Sequence, residues 1–154
     1  MRPENWAELL DDVNRRLLAH LQEDPRLTMS ALARLVGMSS PAVTERVQRL
    51  ERAGVIRGYR LDVDPAALGL PVTAWVRVRP GPGQLTKVAD LAAGLPNVSE
   101  CHRITGEDCF LIKLHAATIE SLTETLDKIL LYGQTVTSVV HSSPVPPRAL
   151  PVPD

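Results

Sequence analysis

Two short amphipathic helical segments, separated by only four residues, restrict the fold of this chain more than any other feature. The segment MSALARLV (29–36) has apolar residues at helical spacing and follows Thr28, a favourable helix N-cap. Gly37 provides a left-handed stop, and the turn GMSS leads into a second helix that begins at Ser39 or Ser40. A short helix, a four-residue turn and a second helix predict a helix-turn-helix unit.

A further helix is predicted before this pair, within the segment DDVNRRLLAHLQED. Asp11 or Asp12 can cap its beginning, and Pro25 follows its end. Apolar residues at helical spacing are expected to face a shared core in all three helices; they are Val13, Leu17, Leu18, Leu21, Leu32, Leu35, Val36, Val43, Val47 and Leu50.

The outer face of the second helix of the pair carries polar and basic side chains. At 100° per residue, Thr44, Glu45, Gln48 and Arg52 lie opposite the apolar stripe, Arg49 lies at the edge, and Arg46 falls between the two faces. Small polar side chains near the start of such a helix can enter a major groove, while arginines further along reach the DNA backbone. An ordinary helical hairpin with a solvated charged face is the alternative.

The distribution of charge supports DNA as the partner. The whole chain has a net charge of −1, yet residues 26–60 contain seven arginines against two glutamates. A local basic patch of this kind is suited to phosphate contacts. We predict base-edge contacts for Ser40, Thr44, Glu45 and Gln48, phosphate contacts for Arg46, Arg49 and Arg52, and a place on the same surface for Ser39 and Arg57.

The segment that follows, GVIRGYRLDVD, changes to residues typical of extended structure. A helix-turn-helix followed by a glycine and a basic extended segment resembles a winged DNA-binding unit.

The second half of the chain has the pattern of a different domain. Residues 72–78 alternate between apolar and polar, and helical and strand-like segments then follow in turn. The order β-α-β-β-α-β predicts a ferredoxin-like sandwich with both helices on one face of the sheet, so that the complete chain is of the α+β class. We expect a second copy of the chain to cover the open face, which implies a homodimer.

These patterns divide the chain into four segments. We predict a winged helix-turn-helix domain over residues 1–62, a linker over 63–71, a ferredoxin-like domain over 72–142 and a Pro-rich tail over 143–154. No apolar run approaches the roughly 20 residues that a membrane-spanning helix needs. The N-terminal residues contain acids where a signal peptide would be apolar. A cytoplasmic protein without membrane contact is therefore expected.

Several separated motifs, in the same order, resemble the Lrp/AsnC family of transcriptional regulators, the feast/famine proteins. They are LDDVNRRLLAHLQEDPRLTMSALARLVGMS, RVQRLERAGVIRGYRLDVDPAALGL, LPNVSECHRITGEDCFLIKL and RALPV. The resemblance implies a regulator that binds double-stranded DNA and is neither an enzyme nor dependent on a cofactor. It also implies dimers that assemble further, commonly to octamers, and an amino acid or related metabolite that alters assembly or DNA binding.

The resemblance also implies an effector site at the turn between the two central strands. We expect this site to include Thr105, Gly106, Glu107 and Asp108, with hydroxyls of Thr135, Thr137 and Ser138 contributed by a neighbouring subunit. This chain has Asp108 where the family often has an aromatic residue and Cys109 where it often has an acid. Residues 1–9, with Trp6, also precede the usual start of the first helix. A tight hairpin turn without a ligand is the alternative interpretation.

Two other functions are alternatives to the regulator. Sirohaem decarboxylases resemble the same two-domain frame, but a substrate with several carboxylates needs a basic pocket, and the arginine surplus lies on the helix-turn-helix instead. A small-molecule-binding module with an inert first half leaves that surplus unexplained. Cys101, His102, Cys109 and His115 could be imagined as metal ligands, but their spacing favours ordinary hairpin residues, so no metal is expected.

Overall fold

The computed structural model describes residues 6–153, and these residues divide into two compact units. One unit comprises residues 6–61 together with 145–153, and the other comprises residues 62–144. Most of the Pro-rich tail, which the sequence suggested as a separate segment, is therefore grouped with the N-terminal unit. No helix among residues 6–153 is long and apolar enough to cross a membrane.

The N-terminal unit is helical. Its helices are α1 (Trp6–Leu9), α2 (Asp12–Glu23), α3 (Met29–Val36) and α4 (Ser40–Arg52). Asp11 caps α2 by accepting a hydrogen bond from the backbone N–H of Asn14 at 2.8 Å. Thr28 caps α3 in the same way through the N–H of Ala31 at 3.2 Å, and α3 ends at Gly37 in the left-handed region. The predicted helix-turn-helix and its capping residues are confirmed.

The core of this unit follows the predicted stripes at most positions, although Val13 and Leu18 are only half-buried. The buried apolar side chains are Leu17, Leu21, Leu32, Ala33, Val36, Val43, Val47 and Leu50. Leu35 was expected to face inward, but this prediction is wrong, since Leu35 is 45% exposed. In α3 the buried stripe is centred between Leu32 and Val36, and Ala33 completes it while Leu35 lies about 100° away from its centre.

The extended segment after α4 forms no β-ladder in the single chain. Residues 55–64 form no strand, and a 3₁₀ turn at Pro65–Leu68 follows them. A strand needs a partner for its backbone N–H and C=O groups, and no neighbouring strand of the described chain pairs with this segment.

The C-terminal unit has the predicted order β-α-β-β-α-β. Its elements are β1 (Val72–Pro80), α5 (Leu85–Gly94), β2 (Val98–Arg103), β3 (Phe110–Ala116), α6 (Ile119–Leu130) and β4 (Gly133–Val139). The four strands form one sheet in the order β2-β3-β1-β4, and every neighbouring pair is antiparallel. The α+β fold class is confirmed.

The sheet has one covered face and one open face. The buried residues of β1 and β3 lie in one cluster with Val88 and Ala92 of α5 and with Leu122 and Ile129 of α6. Both helices therefore pack on the same face of the sheet. Since side chains alternate along a strand, Trp75, Arg77 and their strand neighbours lie on the other face, which no helix of this unit covers.

Candidate DNA-binding surface and effector turn

Helix α4 presents one continuous polar face on the side opposite its buried stripe. Glu45, Gln48, Arg49 and Arg52 are exposed, while Ser40 and Thr44 are half-buried. Two flanking residues are also exposed: Ser39, which is the N-cap position, and Arg57, which follows the end of the helix. The structure therefore places eight of the nine predicted DNA-binding side chains on or beside one surface of the helix-turn-helix.

The basic residues of this surface keep their hydrogen-bonding groups available. Arg49, Arg52 and Arg57 form no ion pair with any residue between 6 and 153. The hydroxyl of Thr44 donates to the carbonyl oxygen of Ser40 at 2.9 Å, so only its lone pairs remain for an external partner. Guanidinium groups without an internal counterion are suited to phosphate oxygens.

Arg46 is the ninth residue and has different surroundings. Its Nη1 donates to Oδ2 of Asp11 at 2.7 Å and to Oδ1 of Asn14 at 3.1 Å, and the side chain is only 32% exposed. This position agrees with the sequence, in which Arg46 falls between the two faces of the helix. The structure therefore separates Arg46 from the arginines of the exposed face.

Residues outside the predicted site also contact the end of α4. The indole Nε1 of Trp6 donates to the carbonyl oxygen of Ala53 at 3.2 Å. The hydroxyl of Tyr59 donates to Glu51 at 3.1 Å, and burial together with the Glu51 carboxylate raises the pKa of Tyr59. In the sequence, Trp6 stands out only as part of an unusual N-terminal extension, and no local pattern indicates its partner.

The predicted effector turn connects β2 to β3. The backbone N–H of Ile104 donates to the carbonyl oxygen of Cys109 at 3.0 Å and closes the loop formed by residues 105–108. Gly106 has a φ of 107°, which side chains with a Cβ rarely adopt, and no atom lies within 4 Å of the place where a Cβ would be. This turn therefore has both a glycine-dependent backbone and open space beside it.

Two arginines of β1, which were not among the residues predicted for this site, lie against the acids of the turn. Arg77 Nη1 is 3.7 Å from Asp108 Oδ2, and Arg79 Nε is 3.8 Å from Asp108 Oδ1. Arg79 also pairs with Glu107. The alternation of Trp75, Arg77 and Arg79 with buried residues was the available signal, because it places both arginines on the open face. Their approach to the turn depends on strand pairing and could not be deduced from that alternation.

The three hydroxyl residues of the last strand do not share one face. Thr135 and Thr137 pair with the buried residues Val78 and Val76, and so lie on the helix-covered face. Ser138 pairs with Trp75 and lies on the open face. A single ligand on one face of one subunit cannot contact all three.

The cysteines and histidines of the hairpin do not converge. Among residues 6–153, no group of three or more His, Cys, Asp or Glu side chains is arranged to hold a metal ion. His115 is instead engaged by two hydroxyls, with Nδ1 3.0 Å from Thr73 Oγ1 and Nε2 2.9 Å from Ser99 Oγ.

A helix-turn-helix with an exposed basic face, joined to a ferredoxin-like unit, defines a two-domain DNA-binding regulator. Residues 10–57 match the family of winged helix-turn-helix DNA-binding domains, and residues 73–150 match the Lrp/AsnC ligand binding domain. The chain belongs to the Lrp/AsnC family and is a transcriptional regulator.

Individual relatives agree with this assignment. The transcriptional regulator LrpC of Bacillus subtilis is 37% identical over 133 residues, which cover 86% of this chain and 92% of LrpC. A feast or famine regulatory protein of Mycobacterium tuberculosis, solved with L-methionine, has a TM-score of 0.86 and 30% identity, covering 94% of this chain and 99% of that one. A transcriptional regulator of Neisseria meningitidis, solved with L-Met, has a TM-score of 0.83 and 25% identity over 94% and 96% of the two chains. These relatives are regulators, so this chain is not assigned as an enzyme.

Proposed function

We propose that the exposed face of α4 enters the major groove of DNA and that an amino acid, held at the turn formed by residues 105–108, changes assembly or DNA affinity. The row formed by Arg49, Arg52 and Arg57, which form no ion pair among residues 6–153, carries the first part of this proposal. The methionine complexes of two related regulators support the second part. Because the target is chromosomal DNA, we place the protein in the cytoplasm.

The side chains of this surface divide into two groups according to the part of the DNA that they contact. Ser40, Thr44, Glu45 and Gln48 lie along the first three turns of α4, where they contact base edges. Arg49, Arg52 and Arg57 lie towards its end and beyond, where they contact phosphates, with Ser39 at the opposite margin. Base contacts determine the sequence that is bound, whereas phosphate contacts supply affinity that depends on salt.

Two substitutions on one helix test this division. Gln48→Ala should change the preferred sequence, because each good base contact contributes about 1–3 kcal/mol of discrimination. Arg49→Ala should weaken binding to all sequences alike and lower the magnitude of the slope of log affinity against log salt by about one unit. The measurement is fluorescence anisotropy with duplexes that the protein itself selects from a random library. A change of sequence preference in Arg49→Ala with an unchanged slope would contradict the assignment.

The charges around the turn match a zwitterion. The two distances between Asp108 and the arginines exceed hydrogen-bonding range, so both guanidinium groups keep donors available. An α-carboxylate can accept from Arg77, Arg79 and the turn N–H groups, while the α-ammonium replaces an arginine beside Asp108 or Glu107. Gly106 allows the ligand to approach the backbone. Ser138 lies on the open face opposite Trp75, away from the turn, and would reach this site from a neighbouring subunit. Thr135 and Thr137 lie on the helix-covered face and are left out of the site.

Calorimetric titration with the common amino acids, beginning with L-methionine, tests the effector site. Gly106→Val, Asp108→Ala and Arg79→Gln should each weaken the binding of an amino acid that the wild type binds. Lys87→Gln, on the exposed side of α5, is the matched control and should leave binding unchanged. Equal affinity in the wild type and in all three site variants would place the ligand elsewhere, and the absence of binding by every amino acid would reject this class of effector.

A further inference from the structure

Arg46 is the centre of a hydrogen-bonded network that joins α4 to the segment before α2. We name this segment, residues 6–11, the N-terminal strap. One guanidinium nitrogen of Arg46 donates to the carboxylate of Asp11 at 2.7 Å and to the side-chain oxygen of Asn14 at 3.1 Å. Asn14 Nδ2 in turn donates to the carbonyl oxygen of Leu9 at 2.6 Å. The network therefore connects the strap, α2 and α4 through side chains whose partners are specific.

The buried member of this network makes it costly to disrupt. Asn14 is only 4% exposed, and both ends of its amide are used, by Leu9 on one side and Arg46 on the other. Removal of Arg46 would leave the side-chain oxygen of Asn14 without its partner in a place with little access to water. A buried polar group without a partner is unfavourable.

The ionic part of the network persists at neutral pH. Burial raises the pKa of Asp11, but hydrogen bonds from Arg46 and from the backbone of Asn14 outweigh it and lower the pKa below its usual value. The Asp11 carboxylate is therefore charged wherever the regulator binds DNA.

The strap reaches α4 at a second point. Trp6 donates to the carbonyl oxygen of Ala53, the residue that follows the last turn of α4. Arg46 and Ala53 are seven residues apart, which is about 10 Å along a helix axis. Two attachments at that separation restrict the tilt of α4 as well as its rotation.

We propose that Arg46 is a positioning residue for DNA binding, which orients α4 through Asp11 and Asn14 instead of neutralising a phosphate. Rotation is the sensitive variable, because side chains extend about 5–6 Å from a helix axis and a 10° turn displaces their tips by about 1 Å. Such a displacement exceeds the range over which hydrogen bonds to base edges stay favourable. This inference rests on the proposed contact between α4 and DNA.

Charge distinguishes a positioning role from a phosphate contact. Asp11→Asn removes a negative charge, so electrostatics alone would make DNA binding tighter. The same substitution keeps the α2 cap, since Asn is as good an N-cap as Asp, but it deprives Arg46 of its ionic partner. If Arg46 orients α4, Asp11→Asn should instead weaken binding to the selected sequence.

The experiment measures anisotropy of a self-selected duplex and of a scrambled duplex between 50 and 200 mM salt, a range of about fourfold over which phosphate contacts are readily resolved. Arg46→Ala and Asp11→Asn should each weaken binding to the selected duplex by about tenfold, the loss of roughly one good base contact, and leave the salt slope on the scrambled duplex unchanged. The double variant should be no weaker than Arg46→Ala alone, because both changes break one network. Arg49→Ala is the matched control that lowers the slope.

Circular dichroism and thermal melting of each variant establish whether it is folded. If Arg46→Ala does not fold, Asp11→Asn alone still tests the proposal. A slope lowered by about one unit in Arg46→Ala, together with unchanged or tighter binding by Asp11→Asn, would overturn the positioning role and assign Arg46 to a phosphate. Failure of the wild type to select any duplex would instead overturn the proposed DNA contact of α4 itself, and the inference with it.

Discussion

His115 lies in a setting that opposes its protonation. Burial is the main cause of its lowered pKa, and the neighbouring Lys113 ammonium adds to it, while the Glu100 carboxylate partly compensates. The hydroxyls of Thr73 and Ser99 each form a hydrogen bond with one of the two ring nitrogens. A neutral ring has one donor and one acceptor nitrogen, and a hydroxyl can serve either, so these two contacts suit the neutral ring.

We expect His115 to make the fold sensitive to acid. The unfolded chain takes up the proton first, near the ordinary histidine value of 6.5, so the contribution of this residue to stability is complete above that pH. It is then lost as the pH falls through the lower pKa of the folded state. Urea unfolding at a series of pH values between 5 and 8 should show a steeper decline of the unfolding free energy for the wild type than for His115→Gln. Parallel curves for the two proteins would refute this.

The partners of individual side chains were the hardest feature to predict from the sequence. The spacing of α4 located Arg46 between two faces, yet only its distance to Asp11 distinguishes an internal partner from a phosphate contact. Asn14 is another example, since an amide within an apolar stripe indicates a buried polar group without naming its partners. Arg77 and Arg79 were visible as an outward-facing pair, whereas their approach to Asp108 depends on strand register.

Among the secondary-structure elements, β4 begins at a residue with no room for a side chain. Gly133 pairs with Pro80 at the end of β1, and a Cβ at this position would clash with the backbone of Arg79 and Pro80. Backbone atoms of a paired strand cannot move aside without distorting the ladder. The close approach of β1 and β4 therefore requires glycine at this position.

Gly133→Ala should destabilise the C-terminal unit by roughly 1–3 kcal/mol, the usual range when extra atoms are forced into a packed region. Gly94→Ala, at the end of α5, is the matched control, because no atom lies within 4 Å of a Cβ there. That control should be neutral or up to about 1 kcal/mol more stable, since alanine reduces the freedom of the unfolded chain. Thermal unfolding of both variants decides the point, and equal melting temperatures would show that β4 adjusts without cost.

Helices and strands with a regular spacing of apolar residues, and helices with a clear capping residue, were predicted well. Thr28, Gly37 and the stripe of Val43, Val47 and Leu50 define α3, its end and α4, because these signals are local. The alternation in β1 was equally direct. Residues 55–64 differ, since their composition is typical of a strand but pairing requires a second segment that local sequence does not supply.

At the scale of the whole molecule, the sheet order could be inferred only after the elements had been assigned. Six elements in the order β-α-β-β-α-β favour one compact arrangement, and the observed antiparallel sheet has that arrangement. The same reasoning does not reveal which charged residues meet across strands, because a register shift of one residue reverses the face of every side chain. The fold was therefore predicted more completely than either candidate site.

The open sheet face is the surface through which we expect copies of the regulator to associate. Trp75, Leu111 and Val136 lie on three adjacent strands of this face, and Val136 is 48% exposed in the single chain. We propose that the same face of a second copy covers these residues and forms a homodimer, which assembles further to an octamer. Such a dimer would bring two α4 helices to DNA half-sites about one helical turn apart, or a multiple of it.

Val136→Glu should convert the dimer into monomers, because association would take the added charge out of water. The isolated subunit should tolerate this change, since Arg77 lies directly across from position 136 and offers a counterion. Thr123→Glu, on the exposed side of α6, adds the same charge away from the sheet and should leave association unchanged. Sedimentation velocity at micromolar concentration distinguishes the species, with dimers or larger assemblies expected for the wild type and for Thr123→Glu. An unaltered assembly in Val136→Glu would place the subunit contact on another surface. A stable wild-type monomer would refute the dimer itself and, with it, the expectation of two DNA half-sites.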